Sequence, residues 1–125
     1  MRENEDNSCV KCILQLNEQQ AKIVSTACEF FARVKIGQFG EIVWHTAEKH
    51  CPENPDAAEQ AWLELRKQIY PDLQGAGHSY GIGKFPDADA AYDVHQALRF
   101  AMGGKEPFSY NELPAVTVIK DKEKK

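Results

Sequence analysis

The sequence lacks two features that would place the chain in a membrane or in an export pathway. No apolar run approaches the roughly 20 residues that a membrane helix needs. The opening residues MRENEDNS are acidic and polar, whereas an export signal starts with a basic stretch followed by an apolar one. We therefore expect a cytoplasmic protein with no membrane partner.

The sequence also lacks an excess of positive charge. Lysine and arginine number 15 against 19 aspartate and glutamate residues, which gives a formal net charge of −4. A protein that coats a nucleic-acid polymer needs a basic face, so this class of partner is excluded. A small anionic ligand needs only two or three well-placed cations and stays compatible with the composition.

Length and composition predict a single domain over residues 1–125. The chain has the usual size of one domain, and 42% of its residues are hydrophobic, enough for one core. Residues 1–8 and 121–125 are polar and charged, and we expect them to be disordered.

The four cysteines include one closely spaced pair, Cys9 and Cys12, in the segment CVKCILQL. The alternation of apolar and polar residues there predicts a strand, which would send the two thiols to opposite faces. No second pair has this spacing, and His50 next to Cys51 is the only supplement for a zinc site. We therefore expect no metal and no cofactor, with free thiols and with Cys12 and Cys28 in the core.

Four helices are predicted between two terminal strands, at about 9–16 and 114–120. The start signals are Asn17 with Gln20 as a capping box, Asn54 before a proline, and Asp87 for the last helix. This order predicts an α+β fold with a small antiparallel sheet. Two strands are too few for a stable sheet, so we expect extra pairing from residues 78–85 or from a second copy, and hence a homo-oligomer.

The apolar residues at helical spacing predict the buried face of each helix. They are Val24, Ala27, Cys28, Phe31 and Val34 in the first helix; Phe39, Ile42, Val43 and Ala47 in the second; Ala58, Trp62, Leu65 and Ile69 in the third; and Ala91, Val94, Leu98, Ala101 and Met102 in the fourth.

The segment GAGHSYGIGKF, residues 75–85, is a glycine-rich loop. It fits neither the phosphate loop of nucleoside triphosphatases nor the dinucleotide fingerprint, because the glycine spacing differs from both and no hydroxyl follows the lysine. The loop displays His78, Ser79, Tyr80 and Lys84. These side chains could contact a phosphate or a base, or the segment could simply be a turn.

Two further groups of residues could bind an anion. On the fourth helix, Tyr92, His95, Gln96 and Arg99 lie three and four residues apart and predict either an anion-binding face or a solvated one.

The end of the first helix places a second group close together in the sequence. Arg33, Lys35, Gln38, Phe39 and Trp44 combine positive charge with aromatic rings, as base-stacking sites do. The alternatives are a pair between Arg33 and Glu29 and a core position for Phe39.

Complete catalytic patterns are missing. The sequence has no His-x-Thr/Ser pair and no His-Asp dyad. Residues 77–81 match Gly-x-Ser-x-Gly, but they follow a segment of helical pattern rather than the strand that a nucleophile elbow needs. We expect no catalytic residues and a binding protein rather than an enzyme.

Two stretches, EFFARVKIGQFGEIVWH and SYGIGKFPDADAAYDVHQALRFAMGG, resemble the first type of phage Thoeris anti-defence protein. The shared pattern is a helix ending in Arg-x-x-x-Gly-Gln-Phe, a Ser-Tyr-Gly-Ile turn and an Asp-x-His-Gln-x-x-Arg helix, over about a third of the chain. The resemblance implies a sponge in the host cytoplasm that binds signals of the cyclic ADP-ribose type without cleaving them. Some members also bind cyclic oligonucleotides at a separate site, and members assemble as dimers or hexamers.

The resemblance also implies roles for individual residues. Arg99 would match a phosphate-binding arginine, and the turn at Ser79 and Tyr80 a ligand-facing loop. Arg33 with Gln38 and Phe39 would line a pocket completed by another protomer, with Phe39 or Tyr80 as the stacking ring. The full set of predicted ligand-binding residues is Arg99, Arg33, Phe39, Tyr80, His78, Ser79, His95, Gln38 and Lys84. His78 stands where the family pattern has an asparagine.

Two alternatives of other classes stay open at this point. An acidic inhibitor could bind a host protein through its helical surfaces, with the polar residues at the rim of the interface. A nucleotide-cleaving enzyme is the third hypothesis, which the missing catalytic patterns disfavour.

Overall fold

The computed structural model describes residues 12–47 and 51–103, which form four helices. These are α1 (Glu18–Lys35), α2 (Gly40–Thr46), α3 (Pro55–Ile69) and α4 (Pro86–Ala101). The prediction of four helices at these places is confirmed. None of the helices within the described ranges is both long enough and apolar enough to cross a membrane.

The predicted α+β fold is wrong for the described part of the chain, which is helical and contains no strand. Residues 12–17 have no regular structure, with Ile13 and Leu14 exposed by 89% and 73%. The segment 78–85, expected to add a strand, is a loop. Alternating polarity produces a strand only where a neighbouring strand supplies hydrogen bonds, and the ranges 12–47 and 51–103 contain no strand that could pair with residues 12–16. The second predicted strand, 114–120, lies outside the described residues.

The cysteine predictions need the same correction. Cys12 is exposed rather than in the core, and Cys28 is half-buried, where burial raises the pKa of its thiol. The prediction that Cys9 and Cys12 point to opposite faces assumed a strand, and Cys12 is not in one. Cys9 lies outside the described residues. No group of three or more histidine, cysteine, aspartate or glutamate side chains within 12–47 and 51–103 could hold a metal ion.

Local capping signals set the helix starts. The side chain of Asn17 accepts from the Gln20 backbone N–H at 2.7 Å, and the Gln20 side chain accepts from the Asn17 N–H at 3.0 Å, a complete capping box. Asn54 caps α3 through the Ala57 N–H, followed by a proline. The predicted N-cap of α4, Asp87, was wrong by two residues. Phe85 is the N-cap, and Asp87 lies in the first turn, where its charge favours the helix dipole.

Helices α1 and α4 pack side by side and antiparallel. The end of α1 lies beside the start of α4, where Lys35 Nζ is 3.2 Å from Asp87 Oδ2. Small residues line this contact, with Ala32 and Ala88 buried to 5% and 2% exposure. Small side chains let the backbones of the two helices approach closely. The face of α1 that contacts α4 is therefore the one with Ala32, not the predicted face with Phe31.

The buried faces of α1, α3 and α4 therefore differ from those predicted. Phe31, Leu65 and Ile69 are exposed by about half, whereas the fully buried positions of these helices are mostly polar. They are Ser25, Ala32, Arg66, Ala88, Asp93, His95 and Gln96. The large apolar side chains Phe31, Leu65 and Ile69 therefore remain partly exposed to solvent in the single chain.

The side chain of Arg66, only 2% exposed, joins three separate segments. Its guanidinium donates to the carbonyls of Gly37 at 3.3 Å, His78 at 2.9 Å and Gly75 at 2.6 Å. The turn after α1 and the start of the glycine loop, from Gly75 to His78, are thus held by one cation on α3. Gly37 has φ of +103°, and a Cβ atom there would collide with the buried Leu73, so glycine is required at this turn.

Tyr70, at the end of α3, reinforces the same junction. Its hydroxyl donates to the Lys35 carbonyl at 2.8 Å, and its ring packs among Phe39, Tyr80 and Phe85 with centroid distances of 5.1 to 6.1 Å. Such aromatic contacts add about 0.5–1.5 kcal/mol per pair beyond the area that they bury.

Arg66→Ala should destabilise the fold by at least about 3 kcal/mol, since it removes hydrogen bonds from a charged donor and leaves buried carbonyls without partners. Urea unfolding followed by circular dichroism measures this loss. Lys67→Ala is the matched control, because Lys67 is the exposed neighbour on the same helix and its loss should stay within about 0.5 kcal/mol. Equal stability of the two variants would contradict the role given to Arg66.

Candidate functional site

A cleft of about 130 Å³ lies between α1, the glycine loop and the start of α4. Its wall is mostly apolar or backbone, with one cation, one carboxylate and one phenol among the lining residues. These are Ala32, Arg33, Ile36, Gly81, Ile82, Ala88, Asp89 and Tyr92. The antiparallel packing of α1 on α4 and the loop position set by Arg66 create this cleft.

Arg33 is the cation of the cleft and is held by two polar partners. Its Nε donates to Glu29 Oε2 at 3.0 Å, which confirms the pair expected from their spacing, and its Nη1 donates to Gln38 Oε1 at 3.0 Å. Burial opposes the charge of the half-buried guanidinium, but the hydrogen bond and the charge of Glu29 outweigh it, and the pKa of Arg33 is raised. The guanidinium is therefore charged and oriented before any ligand arrives.

Gln38 links this arginine to the glycine loop. Its Nε2 donates to Ser79 Oγ at 3.4 Å, and the next backbone N–H, that of Tyr80, donates to the Ile36 carbonyl at 2.8 Å. Arg33, Gln38 and Ser79, all predicted as ligand-binding residues, thus lie in one hydrogen-bonded row.

Asp89 stands on the α4 side of the cleft. Its carboxylate accepts from the Gly83 N–H, with the two oxygens at 3.1 and 3.3 Å. The cleft therefore presents a cation and an anion together, a combination that suits a ligand carrying both an anionic group and hydrogen-bond donors.

Tyr80 and Lys84, two other predicted loop residues, lie next to each other, with Tyr80 half-buried and Lys84 exposed. The ammonium of Lys84 sits 4.9 Å from the centroid of the Tyr80 ring, a cation–π contact. The Tyr80 hydroxyl donates to Asp72 Oδ1 at 2.6 Å, which raises the pKa of Tyr80 to about 12. His78 is exposed, and its Nδ1 accepts from the Gln74 N–H at 2.9 Å.

Of the two rings considered for base stacking, Phe39 is buried to 5% exposure and packs on Tyr70. Tyr80 keeps part of its surface accessible. Of these two rings, Tyr80 is the one that a ligand could contact in the single chain.

His95 lies inside the contact between α1 and α4, with 6% exposure. Its Nδ1 is 3.1 Å from the Ser25 carbonyl and 2.9 Å from Ser25 Oγ, and the hydroxyl donates to the His95 carbonyl at 3.2 Å. Because a carbonyl only accepts, the hydrogen of the neutral ring is assigned to Nδ1. Burial is the largest influence on the ring and lowers the pKa of His95, although the nearby Glu29 carboxylate opposes this.

Arg99 does not join the cleft of its own chain. It is exposed in the last turn of α4, seven residues after Tyr92, which corresponds to roughly 10 Å along the helix. No hydrogen bond or ion pair to another described residue is found for its side chain. Within the described residues, the side chain of Arg99 is exposed to solvent.

A second concavity of about 340 Å³ lies on the outer face of α1 and α2. Its lining is mostly apolar and comprises Lys22, Ile23, Thr26, Ala27, Phe30 and His45. His45 packs edge-on against Phe30, with ring centroids 5.2 Å apart.

The sequence interpretation missed Arg66 and Asp89. Arg66 occupies the position four residues after Trp62 on the predicted apolar stripe of α3, and its guanidinium carbon lies 5.4 Å from the Trp62 ring. A charged residue in an apolar stripe, one turn from a tryptophan, was the signal that could have identified it. Asp89 carried no such signal, because acidic residues are common in the first turn of any helix.

Comparisons of this chain with protein-family models, with curated proteins and with solved structures give no match. The geometry of the cleft and the sequence resemblance are therefore the basis for the function proposed below.

The pH dependence of stability should reveal the buried His95. Its folded pKa lies below the ordinary value of 6.5. The unfolded chain therefore binds more protons, and stability falls as the pH drops below about 6.5, by at most about 1.4 kcal/mol per pH unit. His95→Gln should reduce this loss between about pH 7 and pH 5.5, as measured by urea unfolding at each pH. The same slope in both proteins would show that His95 does not contribute.

Proposed function

We propose that this chain is a sponge that binds a cyclic nucleotide of the cyclic ADP-ribose type and holds it without cleavage. The observation that carries the proposal is the charged guanidinium of Arg33, held by Glu29 and Gln38 at a cleft that also contains Asp89. An oriented guanidinium is the group best suited to a phosphate, which it can contact with two parallel hydrogen bonds.

Asp89 favours a nucleotide over a simple phosphate ion. A carboxylate would repel an isolated anion, but it accepts hydrogen bonds from ribose hydroxyls, as acidic residues do in dinucleotide-binding proteins. The partly accessible ring of Tyr80 and the exposed Ile82, 66% accessible at the cleft, provide surfaces for a base. The net charge of −4 supports a small ligand over a nucleic-acid polymer.

The size of the cleft supports a site shared between protomers. Pockets for small molecules usually measure about 300–1,000 Å³, whereas this cleft has about 130 Å³. A single chain can therefore enclose only part of a cyclic nucleotide. Arg99, exposed at the far end of α4, would reach the ligand in the cleft of a neighbouring protomer. The resemblance to the Thoeris anti-defence family gives Arg99 a phosphate-binding role, and it gives Arg33 a pocket that another protomer completes.

The cleft lacks the commonest nucleophiles, and its one carboxylate, that of Asp89, already accepts from the Gly83 N–H, which supports binding over hydrolysis. No serine, threonine, cysteine or histidine is among the described residues that line it. Cleavage of a phosphate ester needs an activated nucleophile or a positioned general base.

The apolar concavity on α1 and α2 favours a second candidate function. A groove lined by Phe30 and by the exposed Ile23, 60% accessible, would suit a protein partner. This reading corresponds to an inhibitor that acts by binding a host protein.

Depletion and recovery of the ligand distinguish these functions. With the protein in excess, cyclic ADP-ribose should disappear from an ultrafiltrate and return intact when the protein is denatured, as measured by chromatography and mass spectrometry. Recovery of altered nucleotide would indicate an enzyme. No depletion of cyclic ADP-ribose or of a panel of cyclic oligonucleotides would favour the inhibitor.

Substitution of the two arginines tests the shared site. Arg33→Ala and Arg99→Ala should each weaken binding by on the order of 10- to 100-fold, because each removes charge-assisted hydrogen bonds of roughly 1.5–3 kcal/mol. Arg99→Lys should recover only part of the loss, since an ammonium lacks the planar fork. Titration calorimetry with cyclic ADP-ribose measures the affinities, and Lys67→Ala, on the exposed side of α3, is the control with unchanged affinity.

The mass of the particle in solution completes this test. Light scattering should give a multiple of the 14.1 kDa chain mass. A monomer that binds cyclic ADP-ribose with wild-type affinity after Arg99→Ala would exclude the shared site and leave Arg33 and Lys84 as the cations.

A further inference from the structure

The carboxylate of Glu29 lies between two groups that can each pair with it. Its Oε2 atom is 3.0 Å from Arg33 Nε and 3.8 Å from His95 Nε2. The first distance is that of a charge-assisted hydrogen bond, and the second is too long for a hydrogen bond but short enough for an ion pair with a protonated ring. One oxygen atom thus faces the cleft arginine and the buried histidine at once.

The neutral His95 ring gains nothing from this carboxylate. With its hydrogen on Nδ1 toward the Ser25 carbonyl, Nε2 presents a lone pair to an oxygen that is also an acceptor. Nε2 is buried and has no hydrogen-bond donor among the described residues. Protonation would turn this atom into a charged donor directed at Glu29, and the histidine would then compete with Arg33 for the carboxylate.

Three charged side chains act on the His95 ring and affect its protonation. On α1, Glu29 stabilises the protonated ring and Arg33 destabilises it; on α4, Arg99 also destabilises it, and the Tyr92 ring lies 5.1 Å away. Glu29 is the only carboxylate found to act on the ring within the described residues. The state of the ring therefore follows the availability of one carboxylate.

We propose that Glu29 is a positioning residue shared between Arg33 and His95, so that an anion bound by Arg33 drives a proton onto His95. The position of Glu29 between Arg33 and His95 requires no ligand. The transfer of a proton to His95 when an anion binds rests on the proposed cyclic nucleotide site.

The direction of the effect follows from the charges. An anion on Arg33 weakens the pair between Arg33 and Glu29 and adds negative charge beside the carboxylate, and both changes favour a protonated His95. The complex then binds more protons than the free protein. Affinity for the anion rises as the pH falls, by at most about tenfold per pH unit because one proton is involved.

Nuclear magnetic resonance titration of His95 in the full-length chain tests the sharing without a ligand. Arg33→Gln releases Glu29 and removes a positive charge, and it should raise the pKa of His95 above that of the wild type. Glu29→Gln should lower it. Glu18→Gln is the matched control, a glutamate of the same helix that pairs with the exposed Lys22 and should leave His95 unchanged.

Two results would overturn the sharing. One is a His95 titration in a folded Arg33→Gln protein that matches the wild type or moves downward. The other is an unchanged titration in Glu29→Gln, which decides the question even if Arg33→Gln does not fold.

Calorimetry with cyclic ADP-ribose near pH 6.5, in two buffers of different ionisation enthalpy, tests the consequence for the ligand. We expect uptake of up to one proton on binding by the wild type and a clear reduction in His95→Gln. Binding without proton uptake would overturn the inference and leave the sponge proposal in place. No binding would count against the sponge, whereas a raised His95 pKa in Arg33→Gln would still support the shared carboxylate.

Discussion

The buried guanidinium of Arg66 is the interaction on which the rest of the structure depends. It lies among three carbonyl groups, and no carboxylate of the described residues pairs with it. Carbonyl dipoles compensate for the water that the cation has lost, while the planar fork of the guanidinium holds the three acceptors at fixed positions. A lysine would have to reach all three from a single nitrogen, whereas Arg66 uses two.

The position of the glycine loop follows from that clamp, and the cleft follows from the loop. Once Arg66 holds both ends of the segment between Gly75 and His78, Ser79 and Tyr80 come against the end of α1. The loop residues Gly81 and Ile82 then form a wall opposite Arg33. The glycine loop thus forms one side of a cleft that also contains the charged groups of Arg33 and Asp89.

The contact between α1 and α4 combines small residues with buried polar groups. Ser25 pairs with the Nδ1 atom and the carbonyl of His95, and Glu29 lies near both His95 and Arg33. Polar groups buried in this way specify one alignment of the two helices, because a shift would leave them without partners. The same contact leaves large apolar side chains such as Phe31 and Phe100 about half exposed, a surface that supports the proposed homo-oligomer.

Local signals in the sequence determined the helices and most of their ends, and only tertiary contacts decided which faces were buried. The caps at Asn17 and Asn54 act within one turn of chain, so they can be read without knowledge of the fold. The pair between Glu29 and Arg33 was predictable for the same reason.

The lack of a strand at residues 12–16 and the buried faces of the helices were not predictable, because both depend on partners distant in sequence. The burial of Arg66 requires carbonyls that the glycine loop supplies, and the burial of His95 requires Ser25, 70 residues away. Hydrophobic periodicity assigns the core to the largest apolar residues, whereas close helix packing selected alanine and serine. The candidate site could be named in part from the sequence, but its charge arrangement arose from contacts that only the folded chain brings together.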